Sequence, residues 1–152
     1  KFTDSIINIS SVRKLGKIDL VNDIERYFKD IGPDAIKVDK QDFISRLKSK
    51  TGYVKSALMD QSLISGIGNI YSDEILYHMG IHPKSKITSV DLEKLYQTTR
   101  NILDTSIRKF MNFPSDFLIN RREKGAPCAI CDGRITKTTV SSRPTYLCSK
   151  HQ

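Results

Sequence analysis

The sequence predicts a mainly α-helical chain closed by a small β-hairpin, and two observations carry that prediction. Apolar residues recur at helical spacing between residues 20 and 110, in segments separated by Gly, Pro and capping residues. All three cysteines then fall in the last 25 residues, at 128, 131 and 148, around a Thr- and Val-containing stretch suited to strands. A length of 152 residues accommodates one domain or two small ones. With 28% charged and 38% hydrophobic residues, the composition is that of a folded, soluble chain and not of a disordered one. No run approaches the roughly 18 apolar residues of a membrane span, so no membrane partner is expected. The opening Lys1-Phe2-Thr3-Asp4 lacks the pattern of a secretory signal, and export is unsupported.

Element by element, Ser11 to Ile18 reads as strand-turn-strand material. Leu20, Val21, Ile24, Tyr27, Phe28 and Ile31 share one helical face, which Gly32-Pro33 ends. A second helix is expected from Asp39, with Val38 and Phe43 placed as a hydrophobic staple, and continues through Ile44 and Leu47. A third runs from Val54 to Ile64. The link Ser65-Gly66-Ile67-Gly68-Asn69 follows, with Asn69 as expected N-cap of a helix from Ile70 to Met79 that stops at Gly80. Asp73 and Glu74 read as acids favoured by the helix dipole. The longest helix is expected from Thr88 to about Phe110, with Thr88 and Asp91 as a capping pair. Its inward face is Leu92, Leu95, Tyr96, Thr99, Ile102, Leu103, Ser106 and Phe110. Residues 112–127 read as a linker into the cysteine segment.

Cys128, Cys131, Cys148 and His151 form C-x2-C-x16-C-x2-H, two close ligand pairs separated by a spacer. Zinc takes four tetrahedral sulfur or nitrogen ligands, and each x2 knuckle lets one tight turn present two of them. One structural Zn2+ is therefore expected, with no position open for a catalytic water. The alternative is three reduced thiols near a terminal histidine.

The chain carries 25 Lys and Arg against 17 Asp and Glu, a formal net charge of +8. From 120 to 152 there are seven Lys or Arg and two acids, so this fifth of the chain holds +5 of the excess. A basic tail suits a polyanionic partner, although it also fits a solvated surface. Arg143, within Ser141-Ser142-Arg143-Pro144, stands at the expected hairpin tip, where a guanidinium projects from a rigid support. Gly66-Ile67-Gly68-Asn69 is either a capped turn or a cradle of backbone N–H groups for phosphate.

Three blocks resemble the formamidopyrimidine-DNA glycosylase and endonuclease VIII family. Leu58-Met59-Asp60-Gln61 through Gly66-Ile67-Gly68-Asn69-Ile70-Tyr71 to Asp73-Glu74-Ile75-Leu76, extended by Gly80-Ile81-His82-Pro83, resembles its helix-two-turn-helix core. Gly125-Ala126-Pro127-Cys128 with Thr138 to Cys148 resembles its zinc finger, and Ile31-Gly32-Pro33-Asp34 its entry into the helical domain. The family more often has Cys where His151 stands, and an aromatic approach where Asn120 to Lys124 is charged.

The resemblance implies a helix-two-turn-helix DNA-binding domain over 19–111, a linker and zinc finger over 112–152, and in 1–18 the end of an N-terminal β-rich catalytic domain. Asn69 and Arg143 become the side chains that grip DNA phosphates, Lys55 a lysine near the damaged nucleotide, and Gly66, Gly68, Tyr71 and Arg13 further residues of the contact. Arg13 matches only through the short Arg13-Lys14-Leu15-Gly16. The implied partner is double-stranded DNA with oxidised or abasic sites, bound by a monomer inside the cell. The family's chemistry uses an N-terminal proline amine that forms a Schiff base at the sugar, releases the base and cleaves the strand. This sequence begins Lys1-Phe2, so no catalytic residue is expected in it. Either it is part of a longer bifunctional glycosylase and abasic-site lyase, or it is a non-catalytic zinc-containing nucleic-acid-binding module.

Overall fold

The structure, a computed structural model, describes residues 4, 10, 18–110 and 112–152. Arg13 and the strand-turn-strand expected around it lie outside the described residues. Among the described residues, five α-helices precede a two-stranded antiparallel sheet: α1 Ile24–Tyr27, α2 Lys40–Lys48, α3 Val54–Leu58, α4 Asn69–Met79, α5 Leu92–Arg108, β1 Ile135–Val140 and β2 Arg143–Cys148. Short 3-10 turns lie at Ile87–Ser89 and Leu118–Arg121.

Phe43 and Leu47 of α2, Val54 and Leu58 of α3, Ile75 and Leu76 of α4, and Leu95 and Ile102 of α5 form one buried core, joined by Ile64 and Ile67 from the α3–α4 link. Burying each such side chain stabilises the fold by about 1.5–3 kcal/mol. The expected inward face of α5 is buried or half-buried except for Phe110, which lies beyond the helix end and is 74% exposed. The expected face of residues 20–31 differs more. Only one helical turn forms, capped by Asp23, whose carboxylate accepts the Arg26 N–H, and Leu20, Ile24, Tyr27, Phe28 and Ile31 stay exposed.

The third helix is shorter than its periodicity predicts, because Asp60 and Gln61 draw the backbone into turns. Asp60 Oδ1 accepts the Ser62 N–H and hydroxyl at 3.0 and 2.6 Å. The Gln61 amide accepts from Gly66 N and donates to the carbonyls of Met59 and Ile67. Side chains that satisfy local backbone groups in this way compete with helix continuation. Gly66 adopts φ +95°, where other residues are strained.

Two caps also shift. Gly68, not Asn69, is the N-cap of α4, leaving Asn69 as the first helical residue. Asp91 alone caps α5, accepting from Glu93 and Lys94, while Thr88 falls in the preceding 3-10 turn. The expected linker is docked: Phe117 and Leu118 are buried, and Glu74 of α4 accepts the Leu118 and Ile119 N–H groups at 2.7 and 2.8 Å.

In the hairpin, Ile135 pairs with Cys148 and Val140 with Arg143 around a two-residue turn. Ser141 and Ser142 both have positive φ, 47° and 61°, as a type I′ turn requires. The tip is therefore Ser141-Ser142, and Arg143 opens β2 beside it. Ser56 of α3 meets the tip through its hydroxyl, 2.7 Å from that of Ser141.

Candidate nucleic-acid interface

The hairpin lies along α4, and three residues spaced four apart on that helix hold it at three levels. Such spacing stacks side chains on one helical face. At the N-terminal end, Asn69 Nδ2 donates to the Pro144 carbonyl at 2.9 Å. In the middle, the buried Asp73 accepts the Tyr146 N–H at 3.1 Å. At the far end, the Tyr77 hydroxyl lies 3.0 Å from Cys128 Sγ, and the Tyr77 carbonyl 3.0 Å from His151 Nε2.

At the first level the Asn69 amide holds the residue that follows Arg143. Arg143 is exposed and adjoins Pro144, whose carbonyl Asn69 holds. With Gly68 as cap, the N–H groups of Asn69, Ile70 and Tyr71 have no acceptor within the helix, so they add donors and positive dipole to the same end. Gly66 and Gly68 are exposed, with open space where a side chain would stand. An anion approaching this end meets backbone N–H groups and an amide, on the helix to which the strand opened by the exposed Arg143 is bonded. Tyr71, expected at the contact, is half-buried and packs against the helical core.

Lys55, which the resemblance puts near the damaged nucleotide, is an internal residue of α3. It is 1% exposed, and its Nζ donates to Asp73 Oδ1 and Thr145 Oγ1, both at 2.6 Å. A charge so far from solvent needs such partners. Burial pushes its ammonium below the ordinary range against the opposing pull of Asp73. Burial likewise pushes the Asp73 carboxyl up, opposed by Lys55, the Tyr146 N–H and Arg122. Arg122 donates to Asp73 Oδ2 at 2.9 Å and lies over the Tyr146 ring, 4.7 Å from its centroid. The charged segment before the finger thus closes the ion pair.

The donor atoms of Cys128, Cys131, Cys148 and His151 lie within 4.8 Å of one another. Cys131 Sγ is 3.5 Å from Cys148 Sγ and 3.4 Å from His151 Nδ1, and Cys128 Sγ is 3.6 Å from Nδ1. A tetrahedral zinc ion sets S···S at about 3.8 Å and S···N at about 3.6 Å, so the residues fit such an ion. Backbone N–H groups of Ile130, Gly133 and Lys150 point at the three sulfurs, each two residues past its cysteine, as charged thiolates favour. A Cβ on Gly133 would stand 2.7 Å from Cys148 Sγ, so the knuckle closes only over glycine. Burial raises the Cys128 thiol, but hydrogen bonds from Tyr77 and the backbone outweigh it and hold the group at about 6. With His151 Nε2 at the Tyr77 carbonyl, Nδ1 is left to face the cluster.

The four residues that spacing marks as metal ligands do cluster, whereas Asp73, Glu74, Tyr77, Arg122 and Thr145, which dock the finger, were not singled out for that role from the sequence. Asp73 and Glu74 are buried pins, not first-turn acids. The signal available was two adjacent acids set beside Ile75, Leu76 and Met79 in one short helix.

Residues 31–113 match the H2TH domain of formamidopyrimidine-DNA glycosylase. The formamidopyrimidine-DNA glycosylase of Oceanobacillus iheyensis is 30% identical over 164 residues, covering 93% of this chain and 59% of that protein. The Bacillus cereus enzyme is 31% identical over 170 residues, covering 97% and 62%. The chain thus spans about three-fifths of the length of these curated relatives. Among solved structures, Lactococcus lactis formamidopyrimidine-DNA glycosylase bound non-covalently to DNA containing an AP site is similar with a TM-score of 0.71 and 28% identity, over 85% of this chain and 53% of that one. MutM in complex with DNA containing carbocyclic 8-oxo-G gives 0.70 and 28%, over 85% and 54%. The family's domain matches more than half of the chain, and the fold and the Cys3His knuckle accord with it: the chain belongs to the formamidopyrimidine-DNA glycosylase H2TH family.

Proposed function

We propose that this chain is the DNA-gripping portion of a bifunctional glycosylase and abasic-site lyase that removes oxidised bases in base excision repair. The observation that carries the reading is the bond at the amino end of α4 from the Asn69 amide to the Pro144 carbonyl, which ties the strand that Arg143 opens to that helix end. Two donors on rigid supports, one neutral and one cationic, suit adjacent phosphates of a sharply bent backbone. Phosphate contacts of this kind fix register without reading sequence, as an enzyme that must act at any lesion position needs. A bent duplex lowers the cost of turning a damaged nucleotide out of the stack.

One zinc ion, held by Cys128, Cys131, Cys148 and His151, would supply structural support and no chemistry, all four places being filled by protein. The Schiff-base nucleophile belongs, on this reading, to a part of the enzyme outside this sequence. The protein works as a monomer on double-stranded DNA inside the cell.

The test is fluorescence anisotropy with an abasic-site duplex, the matching intact duplex and a structured RNA of equal charge. Tighter binding to the abasic duplex, with no borohydride-trapped adduct, is the expected result. Equal affinity for intact duplex, or preference for the RNA, overturns it in favour of a non-catalytic nucleic-acid-binding module.

A further inference from the structure

We propose that Asp73 is a positioning residue for the DNA contact: through Tyr146, Lys55 and Thr145 it fixes β2 on α4 and so sets where Arg143 stands beside Asn69. This rests on the DNA-contact reading above.

Three connected observations support it. Asp73 is fully buried in mid-helix and uses both carboxylate oxygens, Oδ1 on Lys55 and Oδ2 on Arg122 and the Tyr146 N–H. Lys55 carries the connection onward, since the same ammonium donates to the Thr145 hydroxyl. That hydroxyl in turn donates to the Arg143 carbonyl at 3.1 Å. An unbroken chain of hydrogen bonds therefore runs from the centre of α4 to the backbone of Arg143, and the Asn69–Pro144 bond holds the adjoining peptide.

Polar bonds carry the contact of β2 with α4 at this level of the junction. Against the buried middle of α4, β2 presents Thr145 and the Tyr146 N–H, while the Tyr146 side chain joins the small apolar cluster of Tyr77, Leu118, Ile135 and Cys148. A greasy contact tolerates sliding, whereas directional bonds to a buried carboxylate admit one register. A guanidinium displaced by about 1 Å loses much of a phosphate contact.

The experiment is a double-mutant cycle of Asp73→Asn with Arg143→Ala, reading affinity for an abasic duplex against salt concentration. Far-UV circular dichroism and zinc content report the fold of each variant. Asp73→Asn keeps the side chain's shape but cannot accept from all its donors. The expected result is about tenfold weaker binding and a salt slope lower by about one, with Arg143→Ala then adding less than about twofold in that background. If Arg143→Ala costs the same factor in both backgrounds, Asp73 does not position Arg143 and the proposal fails. Should Asp73→Asn not fold, Thr145→Val makes the same cycle, deleting the relay hydroxyl at nearly constant volume. If Arg143→Ala changes neither affinity nor slope in the wild type, the DNA-contact reading itself fails.

Discussion

Asn69 and Pro144, 75 residues apart in sequence, are joined by a 2.9 Å hydrogen bond from the Asn69 side-chain amide to the Pro144 carbonyl. The carbonyl can only accept, so the amide nitrogen faces it. Asn69 Oδ1 has no hydrogen-bond partner among the described residues, although it is shielded from solvent. Leaving such an acceptor unsatisfied costs about 1–3 kcal/mol. The position is thus held for its donor, at some expense in stability.

Asn69→Asp separates these roles. The variant loses the Pro144 bond, about 1 kcal/mol, but gains about 0.3–1 kcal/mol from an anion at a helix N-terminus. Its denaturation midpoint should stay close to wild type. Its affinity for duplex DNA should fall about tenfold or more, because a carboxylate now faces the phosphates. Parallel loss of stability and affinity would show that Asn69 is only a structural pin.

The buried pair of Lys55 and Asp73 predicts an asymmetry between single and double substitution. Lys55→Met leaves the Asp73 carboxylate buried with Arg122 and one N–H group, and breaking such a pair costs about 3–5 kcal/mol. Lys55→Met with Asp73→Leu removes both charges together and should recover a large part of that loss. Chemical denaturation of the two variants measures it. A double variant no more stable than Lys55→Met would mean that packing, not charge, sets the cost.

How much was legible in the sequence follows from what kind of interaction each residue makes. Cys128, Cys131, Cys148 and His151 declare themselves by spacing, because ligands on tight knuckles must be close in sequence. The α5 face from Leu95 to Ser106 declares itself by periodicity, since one side of the helix meets one core. Lys55, Asp73, Arg122 and Thr145 carry no such mark. Their partners lie 18 to 90 residues away, and only the docking of the hairpin on α4 makes a lysine at 55 internal. The end of α3 at Leu58 was hidden for a different reason: the apolar periodicity continues through Leu63 and Ile64, while the side-chain hydrogen bonds of Asp60 and Gln61 end the helix. Residues 20–31 show the converse, an apolar face legible in sequence that covers no core among the described residues.

Tyr77 couples the metal knuckle to the helical domain. Its hydroxyl accepts the Ala129 N–H, which leaves its own proton for Cys128 Sγ. Tyr77→Phe removes one hydrogen bond to a ligand while keeping the ring, and supports of this kind are worth about 10- to 100-fold in metal affinity. Competition for Zn2+ with a chromophoric chelator should show that loss. Full chelation should unfold the hairpin while the helices, whose core is separate, persist. A far-UV helical signal that collapses on chelation would contradict that separation.

Asp60 predicts how the turn before α4 responds to acid. The Ser62 hydroxyl hydrogen bond, helped by the Ser62 N–H and the nearby Lys50, holds the Asp60 carboxyl below its ordinary 3.8 despite some desolvation. The folded state therefore binds fewer protons here than the unfolded one, so the contribution to stability is present above about pH 5 and is lost as pH falls through the lowered value. In Asp60→Asn the residue no longer titrates. The melting temperature of the wild type should exceed that of Asp60→Asn by a constant margin from pH 7 to about 5, and the margin should shrink below pH 3.8. Thermal melts of both proteins across that range decide the matter. A margin that persists unchanged at the acid end would show that the turn depends on the shape of the side chain at position 60 and not on its charge.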